Sequence, residues 1–562
     1  MKKILSGLVC LVVALVLTTS CSDNGKMKAL LEQIPENAEF VAVGNVKTIM
    51  ESAGGSIEDS KLQLPGNIKD ALSGSSVEDL EKANDFLKKA GVDLNACAVF
   101  GNYKDFSPVI VFALDDKSKF VEAIEKEKFK EIDFDGEGKL YRKTVYESDN
   151  ADWNDYGYIA VKDDYAYWIN NVGAGRATKV TKQLADVIEE AGKGNFADTN
   201  CGDYILDGNA GGVAFTWPKE LRRQLRDNGM PSDVVDIYSG SICLRGNLEN
   251  DKATVDIQLF DEKGDKVDGS KFKAFMNASA TISKDALALL GKDEFMVYAM
   301  TLKDFNWDKY VEMFAKSSGI SRSDRAQLNA VTSYLEKIDG TVTMGFGLTN
   351  GLESVGSLAY KANDMFSQFS TTLVVETKEG KAKQLVEDMK GLMEKMHLPF
   401  SETASGFSID LQAYAGSPGK IYVKNVGNFI AIANHDIKES NDNPLVKSSD
   451  LDDYLSVFCM GLTSDNKLMR DLYIKNNVKL TFGCKPGSLE TNMVLEIDGD
   501  KDTGIIAKAA KIVLAIINHA DDIEQKVKSM NPNPYPSWEA DSDTVVAYED
   551  YYDADSLATD EY

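Results

Sequence analysis

Apolar and polar residues alternate along many short segments of this chain, which is typical of strands with one face on a core. The clearest pair is 158–162 and 165–169, and the polar turn between them predicts an antiparallel hairpin. A helical spacing of apolar residues predicts helices at 77–89, 117–129, 177–191 and 380–396. Short turns between strands, with helices interspersed, predict the α+β class.

The order of these segments repeats along the chain. Ile34-Pro35-Glu36-Asn37-Ala38-Glu39 leads into the strand pattern 40–43, and Gly291-Lys292-Asp293-Glu294 leads into 295–300. The strand and helix at 109–124 resemble those at 373–389, and the hairpin at 158–169 resembles 420–432. Asp203-Tyr204 recurs as Asp453-Tyr454, and the strands at 241–259 resemble those at 479–497. Five ordered pairs predict two tandem copies of a mostly antiparallel sheet packed with helices.

The two ends of the chain differ from this repeated body. The segment 503–530 reads as a helix packed on the domain, since Lys508 and Lys511 interrupt its apolar stretch. Residues 539–562 carry nine acids and no base, a composition typical of a solvated tail. The predicted organisation is a lipoprotein signal peptide at 1–20, a tether at 21–33, a first α+β repeat at 34–262, a junction at 263–285, a second α+β repeat at 286–502, a C-terminal helix at 503–530 and an acidic, disordered tail at 531–562.

The first residues carry an export pattern. Lys2 and Lys3 precede an apolar stretch at 4–17, which is too short for a permanent membrane span. The sequence Leu17-Thr18-Thr19-Ser20-Cys21 resembles the lipobox of bacterial lipoproteins, although Thr18 replaces the usual aliphatic residue. That resemblance implies cleavage before Cys21 and lipid attachment to its thiol. The alternatives are an ordinary secretory signal with a chance cysteine and a short buried helix.

The residues behind Cys21 bear on location. Ser22-Asp23-Asn24-Gly25 resembles a short export signal that sends lipoproteins to the outer face of the outer membrane, and a solvated tether is the other interpretation. We therefore expect an outer-membrane, lipid-anchored protein on the surface or the periplasmic face.

Charge excludes one class of partner. The 562 residues hold 62 Lys+Arg and 89 Asp+Glu, a formal charge of −27. Such a surface repels phosphate backbones, so no nucleic acid is expected. The expected partners are the membrane, through the lipid, and an unidentified protein or glycan.

Five cysteines follow Cys21, and no CxxC spacing occurs among them: Cys97, Cys201, Cys243, Cys459 and Cys484. An odd number argues against a disulfide framework that covers every cysteine, so buried free thiols are expected for most.

A search for catalytic patterns returns weak candidates. His435-Asp436 follows a predicted strand, where a base could lie or where a histidine simply ends a strand. The loop Gly173-Ala174-Gly175-Arg176-Ala177-Thr178 resembles a dinucleotide loop but has Thr178 in place of the third glycine. Zinc, nucleophile-elbow and Walker patterns do not occur in the sequence. No catalytic residue and no cofactor are predicted.

Two acidic clusters have the ligand type that calcium prefers. Asp133, Asp135 and Glu137 fit the start of a calcium loop whose twelfth position is Thr144 rather than an acid. Asp498, Asp500 and Asp502 alternate before the last helix. A polar turn is the favoured interpretation of both clusters, with Asp502 capping the last helix, so no metal site is assigned.

The chain resembles the large exported lipoproteins grouped as domain-of-unknown-function family 4836. Three features carry this resemblance: the lipobox, the strand that follows Ile34-Pro35-Glu36-Asn37-Ala38-Glu39, and the duplicated body. The resemblance implies fold and location, and no activity. We expect a cell-envelope lipoprotein that is a non-catalytic binding or structural protein. The alternatives are a glycan-acting hydrolase with a carboxylate pair in a cleft between the copies, and an assembly factor with a large exposed apolar patch.

Overall fold

The computed structural model describes residues 24–58, 61–66, 85–102, 107–146, 154–228, 230, 232–317, 331–355, 367–412, 418–438 and 442–529. The predicted signal peptide, Cys21 and the tail at 531–562 lie outside these residues, as does most of the helix predicted at 77–89.

The described residues form 22 strands: β1 (Phe40–Gly44), β2 (Ser56–Glu58), β3 (Lys61–Gln63), β4 (Val92–Gly101), β5 (Val109–Leu114), β6 (Lys130–Ile132), β7 (Lys139–Tyr146), β8 (Asp155–Lys162), β9 (Tyr165–Gly173), β10 (Gly211–Thr216), β11 (Ser241–Leu248), β12 (Lys252–Phe260), β13 (Met296–Thr301), β14 (Ile338–Leu348), β15 (Phe369–Thr377), β16 (Ser401–Thr403), β17 (Gly406–Asp410), β18 (Lys420–Val426), β19 (Phe429–Ala433), β20 (Ser456–Leu462), β21 (Val478–Cys484) and β22 (Thr491–Ile497).

The described α-helices are α1 (Asn24–Leu31), α2 (Val46–Ser52), α3 (Lys117–Lys126), α4 (Ala177–Ala191), α5 (Asn200–Leu206), α6 (Lys219–Asp227), α7 (Ser232–Val235), α8 (Lys284–Leu287), α9 (Trp307–Ser317), α10 (Lys381–Lys395), α11 (Pro444–Lys447), α12 (Lys467–Asp471), α13 (Ile505–Asn518) and α14 (Ala520–Ser529). The helices predicted at 117–129, 177–191 and 380–396 are confirmed as α3, α4 and α10. The hairpin predicted at 158–169 is confirmed as β8 and β9.

Twenty of the strands form one continuous antiparallel sheet, while β2 and β3 form a separate hairpin. The pairings give the sheet order β6-β7-β8-β9-β5-β4-β1-β10-β11-β12-β22-β21-β20-β13-β14-β15-β19-β18-β17-β16. Helices lie between and beside these strands, so the α+β class with a mostly antiparallel sheet is confirmed.

The first half, from β1 to β12, and the second half, from β13 to β22, meet at a seam. There β12 pairs with β22, from Lys252 opposite Glu496 to Ile257 opposite Thr491. Outward from the seam, the first half runs β12-β11-β10-β1-β4-β5-β9-β8-β7-β6 and the second runs β22-β21-β20-β13-β14-β15-β19-β18-β17-β16. The two halves therefore have the same strand order. Counted outward from the seam, β12 corresponds to β22, β11 to β21, and so on until β6 corresponds to β16.

One face of the sheet, which we call the packed face, is covered by helices in both halves. In the first half, α1, α4 and α5 pack on Val41 and Cys243. In the second half, α8 and α11 pack on Val297 and Cys459. All four of these strand residues are fully buried or nearly so, as a core under helices requires.

The opposite face is covered only in part by the described helices. At its two outer ends α3 packs on β5, β8 and β9, and α10 packs on β17, β18 and β19. Near the seam, α2 and α13 pack on Leu248, Leu495 and Ile497, at one end of the central strands. Lys508 of α13 is buried there and its Nζ donates to the carbonyl of Ile497 at 3.4 Å.

The structure adds detail to three of the predicted segments. The helix predicted at 503–530 is two helices, because α13 ends before His519 and α14 begins after it. The predicted tether is packed over part of its length, since α1 buries Met27 and Leu30 in the first-half core. The junction at 263–285 is also packed, with Val267 and Ile282 buried.

Candidate functional site

His435, the histidine that ends a predicted strand, lies beside a buried carboxylate. Glu294 precedes β13 and is 1% exposed. Its Oε1 accepts hydrogen bonds from Thr372 Oγ1 at 2.7 Å and Ser370 Oγ at 3.3 Å, and its Oε2 accepts from the Gly291 N–H at 2.8 Å. His435 Nε2 lies 3.2 Å from Oε1 and 3.0 Å from Thr372 Oγ1. The carboxylate thus has a full set of donors, which a buried charge needs.

The geometry of this cluster differs from a catalytic triad. In a triad the acid and the nucleophile contact opposite ring nitrogens of the histidine. Here Nε2 of His435 faces both Glu294 and Thr372, while Nδ1 faces the carbonyl of Asp436 at 3.3 Å. The hydrogen bond to Glu294 raises the pKa of His435, against the opposing effect of burial, and the Asp436 carbonyl raises it further. The arrangement stabilises a protonated imidazole and a buried carboxylate rather than activating a hydroxyl.

A cleft of about 720 Å³ adjoins this cluster. Its lining residues lie between positions 292 and 498, all in the second half, so this cleft is not between the two halves. Several of its carboxylates have partners within the chain. Glu496 pairs with Lys479 at 2.5 Å, and Asp498 accepts from both the backbone and the side-chain nitrogen of Asn477 at 2.6 Å. Glu496 therefore forms a cross-strand pair and Asp498 holds a loop in place, and the predicted glycan hydrolase stays a prediction.

The other sequence candidates lie in turns and loops of the fold. The loop at 173–178 joins an antiparallel hairpin to α4, and a dinucleotide loop requires a parallel βαβ unit. Within the described ranges there is no group of three or more His, Cys, Asp or Glu side chains that could hold a metal ion. Asp500 accepts from the Asp502 N–H and from Thr503 Oγ1, as in a polar turn.

The five cysteines after Cys21 are free thiols. Cys243 and Cys459 are buried, and the other three are partly exposed. Burial raises the pKa of the Cys97 and Cys459 thiols, which keeps them protonated and unreactive. The prediction of free thiols is confirmed, whereas full burial holds for two of the five.

The sequence candidates do not include an exposed apolar feature of the sheet. Side chains opposite the packed face on the central strands form a surface that we call the open face. Its most exposed members are Phe215, Tyr298, Met344 and Phe482, at 38%, 45%, 48% and 46% exposure. All four lie on interior strands of the sheet rather than at its edges.

Strand register aligns the open face into rows of directly opposed apolar side chains. One row crosses the six strands β22, β21, β20, β13, β14 and β15 and ends on a seventh, β19, where its last residue packs under α10: Met493, Phe482, Phe458, Tyr298, Met344, Leu373 and Ile432. A second row crosses β1, β10, β11 and β12: Phe40, Phe215, Ile242 and Leu259. Phe40 and Phe215 touch, with ring centroids 5.0 Å apart. With strands about 4.8 Å apart, the eleven strands from β4 to β15 make a surface about 50 Å wide.

The open face is rich in methionine. The five methionines that lie on the described strands all point to this side of the sheet: Met296, Met300, Met344, Met460 and Met493. Two of them, Met296 and Met460, pack against the cluster that contains Met469 of α12. Thioether side chains are flexible and polarisable, and they are enriched on surfaces that bind varied apolar segments. The open-face positions of β10, β13, β20 and β21 carry no charged side chain.

A sequence signal for the open face exists. The run Phe295-Met296-Val297-Tyr298-Ala299-Met300 is apolar at successive positions, so both faces of its strand are apolar. Such a run is usually buried on both sides. The sequence gives no means of telling a covered second face from an exposed one.

No family model, curated protein or solved structure matches the chain. The resemblance to domain-of-unknown-function family 4836 therefore stays a prediction. Among the described helices, none is long and apolar enough to cross a membrane.

Proposed function

We propose that the chain is a non-catalytic binding lipoprotein of the bacterial cell envelope, anchored through Cys21, whose open face holds an apolar segment of a partner protein. The observation that carries this proposal is the row of exposed aromatic and thioether side chains on interior strands, with Tyr298 opposite Met344. Monomeric proteins rarely expose large contiguous apolar patches, and those that do use them for binding.

The composition of the open face favours a protein segment over a glycan. Sugar sites combine aromatic rings with polar groups that hydrogen-bond hydroxyls, whereas this face lacks charged side chains on its central strands. Flexible methionines adapt to varied apolar side chains, which suits a partner that is recognised by its apolar character. An assembly factor that shields an exported protein has these properties.

We also propose that the two halves are tandem copies of one α+β unit. Their ten strands follow the same chain order outward from the seam, and α3 and α10 occupy corresponding places after β5 and β15. The ordered sequence pairs support the same interpretation. A duplicated unit joined by β12 and β22 lengthens one binding surface instead of making two separate ones.

The anchor is tested by the variant Cys21→Ser. We expect the unmodified protein to partition into the detergent phase of a Triton X-114 extract and to incorporate labelled fatty acid. The variant loses the thiol that the lipid would occupy, so we expect it in the aqueous phase without label. Cys97→Ser is the matched control, and equal partitioning of the two variants would contradict the anchor. Protease shaving of intact cells then distinguishes the surface from the periplasmic face.

The open face is tested with a fluorescein-labelled peptide in which Leu and Ser alternate, and with a Gly-Ser peptide as the negative control. We expect the full chain to raise the fluorescence anisotropy of the Leu-Ser peptide but not that of the Gly-Ser peptide. The triple variant Tyr298→Ser, Met344→Ser, Phe482→Ser removes three apolar contacts, and we expect it to weaken binding at least tenfold.

A matched triple variant controls for a general loss of apolar surface. Tyr146 ends β7, and Leu392 and Met396 lie on α10 and at its C-terminal end, so none of them is on the central strands; they are 59%, 57% and 58% exposed. We expect Tyr146→Ser, Leu392→Ser, Met396→Ser to leave peptide binding unchanged. Equal weakening by both triples would contradict the assignment of binding to the open face. Competition by a soluble oligosaccharide would favour the glycan alternative.

A further inference from the structure

A second groove, separate from the open face, lies beside the last helices. It occupies about 860 Å³ between the segment that follows α12 and the C-terminal part of α13. Its apolar lining includes Ile474, Ile512 and Ala515. Next to these, the rings of Tyr473 and His519 stack with centroids 3.8 Å apart and planes 12° apart.

The aromatic part of this groove is held in a fixed shape. Tyr473 has a φ of +60°, a left-handed backbone conformation that bulky residues rarely adopt. Its hydroxyl lies 3.5 Å from Asp522 of α14, which also contacts His519 Nδ1 at 3.5 Å. The ring stack and the shared carboxylate stabilise this backbone conformation against its local cost.

The rim of the groove is cationic. Arg470, Lys475 and Lys511 line it and are exposed, and no Asp or Glu is among the described residues that line it. Within the described part of the chain none of the three has a salt bridge, whereas lysines such as Lys303 and Lys424 pair with carboxylates at 2.7 and 2.8 Å. In a chain of net charge −27, three clustered cations that form no salt bridge among the described residues favour the binding of an anionic segment.

The last described helix, α14, ends close to the groove, and an acidic part of the chain follows it. Helix α14 runs back along α12, since Lys526 pairs with Asp471 at 3.5 Å and lies 5.4 Å over the Tyr473 ring. Nine residues, 530–538, then separate Ser529 from Glu539. An extended chain of that length spans about 30 Å, so residues 539–562 can reach the groove.

We propose that the groove binds the chain's own acidic segment, residues 539–562. The segment carries nine acids and no base, and its tyrosines interrupt the acids: Tyr548, Tyr551, Tyr552 and Tyr562. Carboxylates match the cationic rim, and tyrosine rings match the apolar lining and form cation–π contacts with Arg470 or the lysines. Attachment through a short linker gives the segment an effective concentration in the millimolar range. At that concentration, weak ion pairs are sufficient to keep the segment bound.

The first test is zero-length carbodiimide crosslinking of the full chain, followed by peptide mapping. We expect amide links between acids of 539–562 and Lys475 or Lys511. Lys219 on α6 is an exposed lysine without a salt bridge in the described structure, and we expect few links to it. Equal linking of Lys219 and the groove lysines, or links only between two molecules, would overturn the proposal.

The second test measures release of the segment by chymotrypsin, which cleaves after its tyrosines. We expect Arg470→Glu, Lys475→Glu, Lys511→Glu to be cleaved about tenfold faster than the unmodified chain, since three ion pairs become repulsive. High salt is expected to accelerate cleavage of the unmodified chain, because it screens exposed charges.

The control changes net charge by the same amount at exposed lysines elsewhere: Lys117→Glu, Lys219→Glu, Lys420→Glu. We expect this variant to release the segment at the unmodified rate. A thermal melt of each variant checks that the fold is intact. Equal release rates for the two triple variants would overturn the proposal.

Discussion

The two faces of the sheet are built from similar residues but differ in how far they are buried. On β4 the packed face carries Phe100, which is buried under helices, and on β21 the open face carries Phe482, which is nearly half exposed. Both strands lie inside the sheet and both side chains are phenylalanine. The difference therefore comes from what covers each face, and apolar residues that are not covered are available for binding.

The largest expected effect comes from making the same substitution on each face. Phe100→Ala leaves a cavity in a close-packed core, so we expect a loss of about 3–5 kcal/mol in unfolding free energy. Phe482→Ala removes a ring that is already largely in water, so we expect a loss under about 1 kcal/mol. Urea unfolding followed by circular dichroism measures both. Equal losses would show that the open face is as well covered as the packed face.

The buried carboxylate on the packed face gives the next effect. Glu294→Gln keeps the size of the side chain but removes a charge that accepts bonds from Thr372, Ser370 and the Gly291 N–H. Hydrogen bonds to charged groups contribute about 1.5–3 kcal/mol each. We therefore expect a loss of about 1–3 kcal/mol, smaller than that of Phe100→Ala, by the same unfolding measurement. A more stable variant would contradict a structural role for the charge.

The same variant has a pH signature that a simple packing change lacks. Glu294 raises the pKa of His435 in the folded protein. A raised folded pKa stabilises the protein fully below the ordinary histidine value, and this stabilisation is lost as the pH rises through the folded value. We expect Glu294→Gln to be more destabilising at pH 6 than at pH 9. His397→Gln removes a histidine outside the cluster, and an equal pH dependence for it would contradict the assignment.

Local pattern was sufficient to predict α3, α4, α10 and the β8–β9 hairpin, because periodicity and short turns act over neighbouring residues. The pairing of β12 with β22 joins residues far apart in the chain, and its register depends on the whole sheet. The break at His519 also depends on packing, since the ring stacks on Tyr473.

The polar cluster shows the same limit at the level of a site. Glu294 precedes Phe295 as Glu39 precedes Phe40, so the repeat alone predicts similar surroundings. Glu294 is buried against His435, whereas Glu39 is partly exposed. The sequence placed His435 at the end of a strand, but its contact with Glu294 arises from the order of β13, β14, β15 and β19 in the sheet.

The smallest effect on stability compares an exposed part and a helix-covered part of the same sheet face. Met344 on the open face is 48% exposed, and Met469 is buried among Phe295 and Leu462. Peroxide must reach a thioether sulfur to oxidise it, so we expect Met344 to form sulfoxide at least about tenfold faster. Peptide mass spectrometry over a time course measures both rates.

Because the Met344 side chain already contacts water, its sulfoxide should leave the unfolding free energy within about 0.5 kcal/mol of the starting value. A bound Leu-Ser peptide should slow the oxidation of Met344 and leave that of Met396 unchanged. If Met344 reacted as slowly as Met469 in the free protein, something would cover the open face in solution, and the proposed binding surface would be wrong.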